Sequence, residues 1–216
     1  MVAALAYHGA MTVSPIVVAI LLVAYLLGSL SGSLLLGRLR GVDVRTLGSG
    51  NAGGTNAFRT QGARFALGVV VIDIGKGVLA AWLALRFAPA WAYPAAALAV
   101  VGHVWPVWHG FRGGKGAATA VGGLLVLWPW ALLPLLLAWL LVLLSSGYVG
   151  LATVVAAAVL PAWGAWQGMS SPQAVFAAGL ALFIAFTHRA NLVRVWRGQE
   201  SRFEKARLLH RWRMRA

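Results

Sequence analysis

Residues 65–87 read FALGVVVIDIGKGVLAAWLALRF, an apolar run long enough to cross a bilayer, with Asp73 and Lys76 in its interior. Apolar runs recur along the whole 216-residue chain, which is 61% hydrophobic and only 10% charged. Its mean hydropathy is +0.81. Soluble domains carry about 25% charged residues. The composition therefore predicts an integral membrane protein.

The pattern of these runs predicts an all-α fold. A backbone in hydrocarbon must satisfy its own hydrogen bonds, and the alternating apolar–polar pattern of a membrane barrel is missing from the sequence. We expect a polytopic bundle of seven transmembrane helices, with a polar loop over residues 37–64. The expected spans are 15–36, 65–87, 91–107, two short spans that form a hairpin about residues 128–130, 149–166 and 173–187. Residues 1–198 are predicted to be a single membrane domain, and residues 199–216 a basic cytoplasmic tail.

The distribution of positive charge predicts the orientation. With seven spans, one side of the membrane holds 16 of the 18 Lys and Arg residues. The positive-inside rule then places the N-terminus outside and the C-terminus in the cytoplasm. The net charge of +14 is compatible with nucleic acid or with anionic lipid as a partner. In so apolar a chain we expect anionic membrane lipids and no nucleic acid, and the aromatic–basic tail resembles a helix lying on lipid.

Residue types that are missing or scarce limit the reactions that this chain could catalyse. The chain has no cysteine, which excludes disulfides and thiolate nucleophiles. Its only acidic residues are Asp43, Asp73, Glu200 and Glu204, and no two fall together in a predicted site loop. Paired-carboxylate catalysis is therefore poorly supported, and neither a metal site nor a cofactor is predicted. A site rich in Gly, Asn, Ser, Arg and Lys suits electrostatic catalysis on an activated, anionic substrate.

The first candidate site loop, residues 47–59, reads LGSGNAGGTNAFR. Glycines let backbone N–H groups face an anion, and Ser, Thr and Asn add neutral donors. Arg59 can bind phosphate through two hydrogen bonds. A flexible connector is the alternative, but this composition favours a binding site. The candidates are Gly48, Ser49, Gly50, Asn51, Thr55, Asn56 and Arg59.

The second candidate loop, residues 113–116, reads GGKG. It is not a P-loop, because His109 stands where the first glycine of that motif belongs and Gly116 follows the lysine instead of Ser or Thr. A lysine between glycines at the start of the fourth helix is still a workable anion site. A loop that only sets topology is equally compatible. The candidates are Gly113, Gly114, Lys115 and Gly116.

Two further pairs of polar residues have both a functional and a structural interpretation. His188 and Asn191 are three residues apart and would share a helix face, although an isolated histidine is usually structural. Asp73 and Lys76 lie inside a predicted span, where ionisable residues normally mark a site. For that pair we favour mutual ion pairing.

Taken together, three segments resemble the bacterial acyl-phosphate:glycerol-3-phosphate acyltransferase family. They are GSGNAGGTN at residues 48–56 with Arg59, GHVWP at 102–106 with GGKG at 113–116, and His188 with Asn191. The resemblance implies a seven-helix enzyme of the bacterial cytoplasmic membrane with a cytoplasmic active site. Such an enzyme transfers an acyl chain from acyl phosphate to the sn-1 hydroxyl of glycerol-3-phosphate, giving lysophosphatidic acid and phosphate. It also implies binding or catalytic roles for Ser49, Arg59, Lys115, His188 and Asn191.

The chain departs from the family pattern at two positions. Gly150 stands two residues after Tyr148, where the family often has Ser, and Ala190 precedes Asn191, where an acidic residue is common. Both bear on how glycerol is positioned.

Two other functions compete with acyl transfer. In a transporter for an organic anion, broken helices could also end in Gly-rich anion sites. However, no inverted repeat is evident in the sequence, and the polar loops are all predicted on one side of the membrane. A scaffold would leave the Gly-Asn-Arg loop unexplained. We therefore expect Arg59, Lys115 and His188 to meet at the cytoplasmic side, in a cationic site for two phosphorylated substrates.

Overall fold

The computed structural model describes residues 13–204, and within that range every regular element is helical. The all-α prediction is confirmed. The α-helices are α1 (Pro15–Gly28), α2 (Gly32–Leu39), α3 (Gly54–Gln61), α4 (Ala63–Phe87), α5 (Ala92–Val104), α6 (Ala117–Leu127), α7 (Leu132–Ser146), α8 (Val149–Trp166), α9 (Ser171–Thr187) and α10 (Arg189–Trp196). Short 3₁₀ turns lie at Val44–Thr46, Pro89–Trp91, Val107–His109 and Pro129–Ala131.

The chain forms two compact units, the first ending at Trp128 and the second beginning at Pro129. Compactness does not establish where a chain folds independently, so the single membrane domain over residues 1–198 stays a prediction. Residues 205–216 of the predicted basic tail lie outside the described range.

The helices have the length and composition of membrane spans. Three stretches are long and apolar enough to cross a bilayer alone: α4, residues 129–146 and α8. Two bent pairs qualify as well, α1 with α2 at 50° and α9 with α10 at 58°, which allows up to five spans within the described residues. The chain is thus an integral membrane protein, and the seven spans stay a prediction.

The first predicted span is broken, which corrects the expectation of one helix over residues 15–36. Helix α1 ends at Gly28 and α2 begins at Gly32. The backbone at the break finds its partners on α4, where Lys76 Nζ donates to Leu30 O (2.7 Å) and Asp73 Oδ1 accepts from Gly32 N–H (3.1 Å). Inside a membrane a break is tolerated only where such partners exist, and these partners are distant in sequence.

The expectation of a loop throughout residues 37–64 was also wrong, because α2 continues to Leu39 and α3 occupies Gly54–Gln61. Helix α3 is held by a small apolar core in which Ala57 packs with Val44, Phe65 and Val69. Amphipathic packing of a short helix outweighs the low helix propensity of its Gly, Thr and Asn residues. Thr55, Asn56 and Arg59 therefore lie on a helix.

Glycines let the backbones of the first unit touch. A Cβ atom at Gly28 would lie 2.1 Å from Ala99 O on α5, and one at Gly32 would lie 2.8 Å from Val69 O on α4. A Cβ atom at Gly77 of α4 would lie 2.1 Å from the backbone oxygen of Thr119 on α6. Small residues at helix interfaces are the usual basis of packing in membranes, where burial of apolar surface gives little driving force.

In the second unit, α7, α8 and α9 follow one another in an antiparallel arrangement joined by short turns. Trp139 Nε1 of α7 donates to Thr153 Oγ1 of α8 (3.2 Å). Helix α9 starts with a capping box between Ser170 and Gln173, two residues before the start predicted for this span.

Gly77 and Gly75 on the same helix provide a matched test of this packing. Gly77→Ala should lower the melting temperature by several degrees, because its Cβ atom would collide with backbone and overpacking costs about 1–3 kcal/mol. A Cβ atom at Gly75 would have no neighbour within 4 Å, so Gly75→Ala should be neutral or stabilising by up to about 1 kcal/mol. Thermal unfolding in one detergent measures both. Equal destabilisation by the two variants would contradict the packing described.

Candidate functional site

The glycine-rich loop is closed by the side chain of Asn56. Its Oδ1 atom accepts from Ser49 N–H (2.9 Å), and its Nδ2 group donates to Val44 O and Leu47 O (3.0 Å each). Asn56 is 2% exposed. Its observed role is to hold the loop, and direct contact between Asn56 and a substrate stays a prediction.

The other candidates of this loop are more accessible. Gly48 and Gly50 have φ of 57° and 70°, in the left-handed region that favours glycine. A Cβ atom at Gly48 would also lie 2.4 Å from Asn56 Oδ1, so the bond that closes the loop requires glycine there. Gly48, Ser49, Gly50, Thr55 and Arg59 are exposed, and Asn51 is half-buried.

The second loop leads into α6 as predicted, with Lys115 two residues before Ala117. Gly116 caps the helix with a φ of 89°. Gly113 N–H donates to Val104 O and Gly114 N–H to His103 O, both at 3.1 Å. Lys115 is thereby held, half-buried, beside the N-terminus of an eleven-residue helix, where an anion is favoured.

Two glycines of this loop are needed for packing against α5. A Cβ atom at Gly113 would lie 2.0 Å from His103 O, and one at Gly114 would lie 2.1 Å from His103 Nε2. The glycine pattern that predicted a ligand contact therefore has a steric reason as well. Contact of either backbone with a substrate stays a prediction.

Arg45 ties the two loops together. Its Nη1 group donates to His109 O (3.0 Å) and Arg112 O (3.2 Å), and its other nitrogens bond the carboxylate of Asp43. These bonds lower the pKa of Asp43 and raise that of Arg45. Burial lowers the pKa of His109, and Arg45 lowers it further. Sequence reasoning counted Arg45 only as a charge that sets topology, so this link was missed.

The predicted pairing of Asp73 with Lys76 is confirmed, with Lys76 Nζ 3.0 Å from Asp73 Oδ1 and both side chains buried. His103 of α5 joins them, with its Nδ1 2.7 Å from Lys76 Nζ. The pattern GHVWP pointed to this histidine only through the family resemblance.

In the second unit, His188 lies at the 58° bend between α9 and α10. Contrary to expectation, the two residues therefore do not both lie within one helix: His188 precedes α10 and Asn191 lies within it, where its N–H donates to His188 O (2.8 Å). His188 Nδ1 lies 2.8 Å from Ile184 O. Because a carbonyl can only accept, Nδ1 carries the proton, and Nε2 is the basic nitrogen of the neutral ring.

Asn191 is oriented by a buried acid that sequence reasoning did not select. Its Nδ2 group donates to Glu200 Oε1 (2.7 Å), and Arg194 Nε donates to Glu200 Oε2 (2.6 Å). The residues after Glu200 fold back onto the start of α8, where Arg202 Nε donates to the Tyr148 hydroxyl (2.8 Å). The first residues of the predicted tail are thus packed against the unit.

Gly150 lets α8 approach Asn191. A Cβ atom at Gly150 would lie 2.8 Å from Asn191 Cβ, so the serine often found here in the family would displace Asn191. Ala190, the second departure, is exposed. Residues 13–204 contain no cluster of three His, Asp or Glu that could hold a metal ion.

Comparison with known proteins finds relatives that match most of the chain and share one family description. The profile of the family "Glycerol-3-phosphate acyltransferase" matches residues 18–198. The glycerol-3-phosphate acyltransferase of Cronobacter sakazakii is 42% identical over 90% of this chain and 97% of the relative. That of Escherichia coli K12 is 41% identical over 88% and 93%.

Solved structures agree with the sequence relatives. A crystal structure of an integral membrane glycerol 3-phosphate acyltransferase in its glycerol 3-phosphate form matches with a TM-score of 0.83 and 34% identity, over 87% of this chain and 95% of that one. The lysophosphatidic acid form matches with a TM-score of 0.80 and 33% identity, over 86% and 94%. Fold, extent and sequence all coincide, and the chain belongs to the glycerol-3-phosphate acyltransferase family.

Proposed function

We propose that this protein transfers an acyl chain from acyl phosphate to the sn-1 hydroxyl of glycerol-3-phosphate, giving lysophosphatidic acid and phosphate. The observation that carries the proposal is a pair of glycine loops joined through Arg45, in a chain of this family. The first loop leads into α3, which bears Arg59, and the second bears Lys115. The glycerol 3-phosphate and lysophosphatidic acid forms of the related structures support the acceptor and the product.

The first unit has the chemistry to bind phosphate. Both substrates carry phosphate, so a site for them must offset the repulsion between like charges. Arg59 and Lys115 supply positive charge, while Ser49, Asn51, Thr55 and the amides of Gly48 and Gly116 supply neutral donors. The N–H groups of Gly50, Gly113 and Gly114 already donate to backbone carbonyls and instead hold the loops in shape. Hydrogen bonds to a charged group contribute about 1.5–3 kcal/mol each, so a few of them suffice to discriminate a phosphorylated substrate.

His188 and Asn191 would act on the glycerol. His188 Nε2 takes the proton of the sn-1 hydroxyl while the hydroxyl oxygen attacks the acyl carbonyl, and Asn191, held by Glu200, orients the glycerol. The bond from the acyl carbon to the phosphate oxygen breaks, the phosphate leaves with the electron pair, and the histidine returns its proton to it. A substrate phosphate is the alternative proton acceptor.

Acyl phosphate suits this set of residues as donor. It is a mixed anhydride whose leaving group needs no strong acid, so positioning and charge stabilisation can supply most of the rate. A chain without cysteine has no thiol on which an acyl group could be stored.

The protein would work as a multi-pass protein of the bacterial cytoplasmic membrane. We propose seven crossings, an external N-terminus and a cytoplasmic active site, supported by the distribution of Lys and Arg. The basic tail would bind anionic lipid on the same side.

A donor comparison tests the reaction. Purified protein in proteoliposomes receives radiolabelled glycerol-3-phosphate with palmitoyl phosphate, palmitoyl-CoA or palmitoyl acyl carrier protein. We expect labelled lysophosphatidic acid with palmitoyl phosphate alone. Product from either thioester would contradict the proposed donor. Uptake of label into the liposomes without product would instead support an anion transporter.

Lys115→Ala should lower the initial rate by about 10²-fold or more, because removing one preorganised group that stabilises developing charge typically costs that much. Lys115→Arg should recover part of the rate. The control is Arg86→Ala, which removes an exposed cation near the C-terminal end of α4. Its initial rate should match that of the wild type. All three should elute as folded protein in detergent. Near-normal turnover by Lys115→Ala would remove this lysine from the site.

His188→Gln should lower kcat by about 10²–10⁴-fold and leave the KM for glycerol-3-phosphate within about threefold, because an amide can hydrogen-bond but cannot accept the proton. Arg189→Ala, the exposed neighbour, should behave as wild type. Steady-state kinetics with each substrate varied separates the two constants. A change in KM alone would make His188 a positioning group.

A further inference from the structure

Three ionisable side chains of the first unit take no part in the proposed chemistry. Asp73 and Lys76 of α4 and His103 of α5 are 1%, 5% and 2% exposed. Lys76 Nζ lies 2.7 Å from Leu30 O, 2.7 Å from His103 Nδ1 and 3.0 Å from Asp73 Oδ1. An ammonium group has three N–H donors, so each donor of Lys76 has an acceptor.

The lysine also fixes the state of the histidine. Because Lys76 donates to Nδ1, the ring proton of neutral His103 lies on Nε2. A protonated ring would place a second cation 2.7 Å from the ammonium. The separation of 3.4 Å between His103 Nδ1 and Asp73 Oδ1 is longer than a charge-assisted hydrogen bond, which agrees with a neutral ring.

On one side, the cluster connects to the first glycine loop through the break in the first span. Asp73 Oδ1 accepts from Gly32 N–H at 3.1 Å. The next residue, Ser33, is fully buried and donates its hydroxyl to Ala52 O at 2.7 Å. Ala52 lies between Asn51 and the start of α3, so the position of the loop follows from the position of the break.

On the other side, His103 connects the cluster to the second loop. Its carbonyl accepts from Gly114 N–H at 3.1 Å, and its ring is so close that a Cβ atom at Gly114 would lie 2.1 Å from Nε2. Gly114 directly precedes Lys115. The cluster therefore contacts the backbone that leads into each loop, through the Asp73 side chain for the first loop and through the ring and carbonyl of His103 for the second.

We propose that Asp73, Lys76 and His103 are positioning residues for substrate phosphate. By fixing Ala52 and Gly114 together, they hold the first loop and Lys115 in a single arrangement that binds glycerol-3-phosphate. This inference rests on the proposed function. A cluster that only stabilised the fold would lower the amount of active protein and leave the KM of each folded molecule unchanged.

His103→Asn tests the link to the second loop. The asparagine side-chain oxygen can replace Nδ1 as the acceptor for Lys76, but it leaves nothing in the place of the ring edge that contacts Gly114. We expect a melting temperature near that of the wild type, a KM for glycerol-3-phosphate raised about tenfold, and a kcat within about threefold at saturating donor. Leu98→Ala, on the same helix, is the control. Leu98 packs on an alanine core away from both loops, so its loss should lower stability without raising KM.

The double variant Asp73→Asn/Lys76→Met tests the charged pair without leaving either charge unpaired in the membrane. Methionine keeps the unbranched chain but donates no hydrogen bond to Leu30 or His103, so we again expect a raised KM. An unchanged KM in His103→Asn, or in a folded double variant, would overturn the inference while leaving the proposed function intact. Failure of His103→Asn to fold would also overturn it, since that change keeps the bond to Lys76. A wild-type protein that makes no lysophosphatidic acid would overturn both.

Discussion

The first unit depends on the ammonium group of Lys76. A helix that breaks in hydrocarbon exposes backbone groups that lipid cannot satisfy, and a lone lysine at that depth costs at least about 2.5–3.5 kcal/mol. Here the broken helix and the charged pair satisfy each other, which reduces both costs. The freed carbonyl of Leu30 accepts from Lys76, and the freed N–H of Gly32 donates to Asp73. The break therefore requires the ion pair, and the pair requires the break. With both in place, Ser33 can turn toward Ala52 and hold the first loop.

Glycine has two uses in this unit, and they coincide in the second loop. Between helices, the missing Cβ atom lets Gly77 contact the backbone of α6. In the loop, the same absence lets Gly113 and Gly114 lie against His103. A loop packed onto a helix in this way has little freedom, so the backbone that carries Lys115 is in position before any ligand arrives. Ligand binding then costs less conformational entropy than it would with a mobile connector of the same composition.

Local patterns in the sequence predicted the helical class, the Asp73–Lys76 pair and the entry of Lys115 into a helix, because each depends on neighbours within about one turn. The break in the first span, the link through Arg45 and the role of His103 were beyond such reasoning. The residues that interact at these places are far apart in sequence. Lys76 and Leu30 are separated by 46 residues, and Arg45 and His109 by 64. Glu200 was not selected from the sequence for a different reason. It is only nine residues from Asn191, but the chain must turn back after α10 to bring them together.

The scarcity of acids in this chain has a mechanistic meaning. Two of its four carboxylates, Asp73 and Glu200, are buried in bonds to Lys76 and to Asn191 and Arg194, and Asp43 is occupied by Arg45. Each of these three acids thus holds a base or an amide in place. In the proposed reaction two phosphorylated molecules must come together, and keeping negative charge in such supporting bonds would favour their approach. In that proposal the accessible cations and amides would stabilise the charge that develops as phosphate leaves, and the reactivity of acyl phosphate would make that stabilisation sufficient.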